Sequence, residues 1–109
     1  MGEKLKLATM LREGIVTIYG EGALVFSSAI DFKSELKPWL TSDLKEIVLD
    51  LEKVTQIDSA GLGLIAQTLN QTAARNLAFR VINIPPAILA TFELTGLSAK
   101  LARRKKSES

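Results

Sequence analysis

The chain has 109 residues, 47% of them hydrophobic and 24% charged, enough for one domain with a real core and too few for two. It contains no cysteine and no histidine, which removes disulfides, thiol chemistry, the usual zinc ligands and the base of a Ser-His-Asp triad. Four of its 14 cations and one of its 12 anions fall in residues 103–109, so the pI near 9.0 belongs to a basic tail, read as solvated and disordered, while the domain expected over residues 1–102 is close to neutral.

Residues 4–11 and 15–19 read as two strands of a hairpin joined through Arg12-Glu13-Gly14, and Gly20-Glu21-Gly22 reads as the turn that ends the second. Ser27 and Ser28 are placed to cap a helix through residues 29–36, which Pro38 should kink or end. Two β-like runs follow, residues 46–51 and 54–57, rich in β-branched and apolar side chains. A long continuous segment, residues 64–75, predicts a helix. Residues 77–84 predict a further strand closed by Pro85-Pro86, which suits a strand exit and the first turn of a helix over residues 87–94. Gly96 stops that helix, and a last short one runs from Ser98 to about Arg103. Strands alternating with helices imply parallel pairing, whereas the opening hairpin implies an antiparallel edge. The expected fold is α/β, a mixed sheet of four to five strands packed by helices.

Asp58-Ser59-Ala60-Gly61-Leu62-Gly63 carries the most information, because it sets a hydroxyl and two glycines where an apolar strand gives way to a helix. Ser59 falls at or just before the first helical turn, where backbone N–H groups lack intrahelical partners and the helix dipole is positive, a setting that receives phosphate well. The plainer reading is that Asp58 or Ser59 simply caps the helix, a role worth about 1 kcal/mol. A cap alone does not explain Gly61 and Gly63, each costing a helix about 0.5–1 kcal/mol relative to alanine. They point to close approach by another backbone, either this protein's own sheet or a partner's.

These residues, with Ile47-Val48-Leu49-Asp50-Leu51, Val54-Thr55-Gln56-Ile57, Phe79-Arg80-Val81-Ile82-Asn83 and Phe92-Glu93-Leu94-Thr95-Gly96-Leu97, resemble the STAS domain, the family of anti-sigma-factor antagonists and of cytoplasmic domains of sulfate transporters. The resemblance runs from about Lys4 to Leu101. It implies a β-sheet with helices mainly on one face, a phosphoacceptor serine directly after the motif aspartate, here Ser59, and a partner-binding surface at Asp58, Ala60, Gly61, Leu62 and Gly63. It also implies partner switching in the cytoplasm. The unphosphorylated form binds an anti-sigma factor that is also a serine kinase, phosphorylation breaks the complex, and a metal-dependent phosphatase restores it. Two departures stand out. Family members commonly carry Gly-Glu-Leu-Asp after the second strand, whereas Gly22-Ala23-Leu24-Val25 puts valine at the acidic position, and Ala60 replaces a second serine found in many relatives.

A second reading, motivated by Val25, makes the chain a STAS accessory subunit of a lipid-transporting ABC ATPase or a scaffold component in stress signalling, with no phosphate involved. An enzyme is not expected. Ser59 has no histidine base and lies outside a Gly-x-Ser-x-Gly elbow, Gly20-Glu21-Gly22 lacks the third glycine of a dinucleotide loop, and no Gly-Lys-Ser/Thr occurs. No cofactor, metal, direct nucleic-acid contact or membrane span is expected, no stretch reaching the ~18–20 apolar residues a span needs.

Overall fold

The computed structural model describes residues 4–40 and 43–107. The opening hairpin joins β1 (Lys6–Arg12) to β2 (Ile15–Leu24) through a two-residue loop, with Arg12 paired to Ile15. Glu13 and Gly14 both take positive φ, 52° and 82°. Two successive positive φ values are what a type I′ turn needs to match the twist of its strands. After β2 come α1 (Phe26–Leu40), β3 (Glu46–Ile57), α2 (Ser59–Ala74), β4 (Ala78–Ile82), α3 (Pro86–Leu94) and α4 (Leu97–Ser107).

The four strands form one sheet in the order β1-β2-β3-β4, antiparallel at the first pairing and parallel at the next two. The α/β class and the mixed sheet are as the sequence pattern predicts, and the helices lie mainly on one face, as the family resemblance implies. Along β2 and β3 the inward side alternates as Val16, Ile18, Ile47, Leu49 and Leu51, all essentially inaccessible to water. Phe32 and Leu36 of α1, Leu64, Ile65 and Leu69 of α2, Ile88 and Phe92 of α3, and Leu97 of α4 join that core. The opposite face carries the Arg80–Glu46 ion pair and the exposed Met10 and Tyr19. No helix among the described residues is long and apolar enough to cross a membrane.

Several local expectations give way to tertiary structure. Gly20-Glu21-Gly22 is not a turn that ends the second strand: β2 continues through it to Leu24, and the pairing with β3 shifts register there twice. Gly22, at φ 105°, absorbs the irregularity, and a Cβ on it would lie 2.2 Å from the Lys4 carbonyl oxygen. The runs 46–51 and 54–57 are one strand. β4 stops pairing at Ile82 opposite Asp50, and β3 continues alone beside β2, exposing Glu52 and Lys53.

α1 starts at Phe26, ahead of both serines, and does not end at Pro38. That proline lies in the last turn, where only the exposed Ser34 carbonyl loses its helical donor. β4 is shorter than expected because Asn83 turns to φ 54° and gives its side-chain amide to Asp50 Oδ2 at 3.0 Å. Asp50 Oδ1 accepts the Glu52 N–H at 2.9 Å, so this buried carboxylate is held from both sides. α4 carries helical backbone to Ser107, through residues 103–107 that the composition assigns to a disordered tail.

Candidate functional site

Strands β2 and β3 end side by side, with Leu24 paired to Ile57, and each hands the chain to a helix within two residues. Two helix N-termini therefore meet at the carboxyl edge of the sheet, where α/β folds gather their binding sites. Each presents backbone N–H groups without intrahelical acceptors and the positive end of its dipole.

One side chain serves both. Asp58, extended at φ −119° and ψ −173°, is the N-cap of α2, and its Oδ1 accepts the Gly61 N–H at 3.0 Å. Its Oδ2 accepts the N–H of Phe26, the first residue of α1, also at 3.0 Å. The carboxylate thus bridges two segments 32 residues apart. The N–H donors of Gly61, first, and Phe26, second, hold the Asp58 carboxyl below the usual carboxylate range, so it is ionised at neutral pH.

With Asp58 as the cap, Ser59 has no capping to do. It is the first residue of α2, it is exposed, and among the described residues its hydroxyl is engaged in no hydrogen bond. The two glycines that a cap left unexplained have different environments. A Cβ on Gly61 would lie 2.3 Å from the Leu24 carbonyl oxygen and 2.7 Å from Ile57 Cγ1, so the backbone that approaches it is this protein's own β2. A Cβ on Gly63 meets nothing within 4 Å. Gly61 is buried, Ala60 and Leu62 are half-buried, and Gly63 shares the exposed side with Ser59. Ser59, Leu62, Gly63 and Ala66 line one wall of a shallow groove of about 250 Å³, and Thr95, Leu97 and Lys100 line the other.

On the α1 side the loop is pinned by Ser28, whose buried hydroxyl donates to the Ala23 carbonyl at 2.8 Å and accepts the Val25 N–H at 3.0 Å. Ser28 therefore caps α1 from inside its first turn, the reverse half of a capping box. Val25 supplies no carboxylate, and the charge that meets the start of α1 comes from Asp58 instead. Phe26 and Ile30 stand out from this turn into solvent. Sequence reasoning passed over Phe26. Its signal was a large apolar residue two positions out of step with the Ser28, Phe32, Leu36 stripe that faces the core.

The family described as the STAS domain matches this chain over residues 6–109. The anti-sigma-B factor antagonist of Staphylococcus aureus (strain NCTC 8325 / PS 47) is 26% identical over 93 residues, covering 85% of this chain and 86% of that protein. The anti-sigma factor antagonist of Mycobacterium paratuberculosis superposes with a TM-score of 0.77 at 21% identity, over 89% of this chain and 82% of that one. The Bacillus cell fate determinant SpoIIAA, in its phosphorylated form, superposes with a TM-score of 0.69 at 20% identity, over 87% and 86%. At these identities the structural likeness speaks to the fold.

Proposed function

This chain belongs to the STAS domain family, and on that premise we propose that it is an anti-sigma-factor antagonist whose binding is switched by phosphorylation of Ser59. The observation that carries the proposal is the Ser59 hydroxyl, exposed and without a hydrogen bond among the described residues, at the first position of α2. The names of its relatives, and the existence of SpoIIAA in a phosphorylated form, support the same reading. The partner is an anti-sigma factor with serine kinase activity, which supplies the transfer chemistry; this chain supplies the acceptor. A metal-dependent phosphatase removes the phosphate.

Electrostatics gives the switch its sign. Phosphorylation adds about −1.5 to −2 charges next to a carboxylate that is already ionised. A partner lying flush against Ser59 has to strip water from that charge and meets repulsion from Asp58, and both effects oppose binding. The N-terminus of α2, which begins at Ser59, favours the phosphate in the free protein. The complex is therefore weakened with little rearrangement of the backbone.

The test is the affinity of the anti-sigma factor for Ser59→Ala and Ser59→Asp. Ser59→Ala is expected to bind like the unphosphorylated wild type and Ser59→Asp at least about tenfold more weakly. Equal affinity of the two variants sinks the switch and favours an unregulated structural subunit.

A further inference from the structure

Phe26 and Ile30 are 81% and 70% exposed. Four residues apart on α1, they stack into a single ridge, on the side of the helix away from the buried Ser28, Phe32 and Leu36. Isolated apolar residues on a surface are ordinary. What distinguishes this ridge is its attachment. The Phe26 N–H is bonded to the carboxylate of Asp58, the residue before Ser59, so the first turn of α1 starts beside the loop that carries Ser59.

We propose that Phe26 and Ile30 form the apolar anchor that the anti-sigma factor grips, one surface with Ser59 held in register by Asp58. The proposal rests on reading the chain as an anti-sigma-factor antagonist. It specifies the chemistry of the partner: an apolar pocket lies opposite the first turn of α1. That turn contains no acidic residue and Val25 has no charge to offer, so the ridge itself gives a partner only apolar surface to hold. Large side chains seated in well-packed, desolvated pockets are where interface binding energy concentrates.

The experiment is calorimetric titration of each anti-sigma factor kinase from the source organism into wild type, the double variant Phe26→Ala/Ile30→Ala, Ser59→Asp, and Met10→Ala. Met10 is also exposed, at 54%. It pairs with Thr17, seven residues and about 23 Å along β2 from Leu24 at ~3.3 Å per residue. The double variant is expected to bind at least about 30-fold more weakly, with Met10→Ala unchanged and all thermal melts alike, since neither ridge residue is in the core. In the wild type, amide signals of residues 26–30 should shift together with that of Ser59 when the factor is added. The ridge is overturned if the double variant binds like wild type, if those amides stay still, or if wild type sediments as a dimer that the double variant breaks, which would give the ridge to a second copy. Loss of binding in the double variant with Ser59→Asp unaffected upholds the ridge and overturns only the switch. A wild type that binds none of the kinases overturns both.

Discussion

Alanine at Gly61 puts a methyl carbon 2.3 Å from the Leu24 carbonyl oxygen and 2.7 Å from Ile57 Cγ1. The first neighbour is backbone at the end of a paired strand, so it cannot rotate out of the way. Overpacking of this kind costs roughly 3 kcal/mol, and the helix gains back at most about 1 kcal/mol when alanine replaces glycine. The net is about 2 kcal/mol of lost stability, a sizeable part of the 5–15 kcal/mol typical of a domain, and a fall in Tm of roughly 10 °C. Gly63, two residues on in the same helix, is the internal control. Nothing lies within 4 Å of its Cβ position, so Gly63→Ala realises only the propensity term and should stabilise by about 0.5–1 kcal/mol. Urea unfolding followed by far-UV circular dichroism measures both. Opposite signs are expected. A stabilised Gly61→Ala, or two shifts of the same sign, would show that the approach of α2 to β2 does not constrain position 61 and would refute the packing argument.

Two further outcomes concern Asp58 and the hairpin. Hydrogen bonds to Gly61 and Phe26 lower the folded-state pKa of Asp58, so its contribution is fully present at neutral pH and is lost as pH falls through that depressed value. Wild type should therefore lose more stability on acidification below about pH 4 than Asp58→Asn, which lacks the titrating group; parallel acid curves from thermal melts would count against the two-helix clamp. Glu13 holds φ 52° in a turn whose usual first residue is asparagine, so Glu13→Asn should raise stability by about 0.5–1 kcal/mol in the same urea assay, and a loss would argue against the I′ assignment.

Much of the fold was legible because its signals are local. The hairpin shows in two strand-like runs joined through Arg12-Glu13-Gly14, and α3 shows in Pro85-Pro86 before it and Gly96 after it. Placing Ser59 at a helix start needed only the change from a β-branched run to a helical one. The misreadings have a common cause. Gly20-Glu21-Gly22 has the composition of a turn, yet the ladder to β3 runs on through it, with Gly22 opposite Val54 and Leu24 opposite Ile57. Pro38 carries a helix-ending signal, but in the last turn it removes the donor to a single exposed carbonyl, a small penalty next to the packing of Phe32 and Leu36.

By itself the sequence determined the class of fold and the position of Ser59 between strand and helix, since composition, periodicity and end signals depend on near neighbours along the chain. Only the tertiary structure decided which residue caps which helix and which glycine is forced. Those answers depend on the register that sets Leu24 beside Ile57: it brings a carbonyl against Gly61 and the N–H of Phe26 against Asp58, across separations at which local preference carries no information.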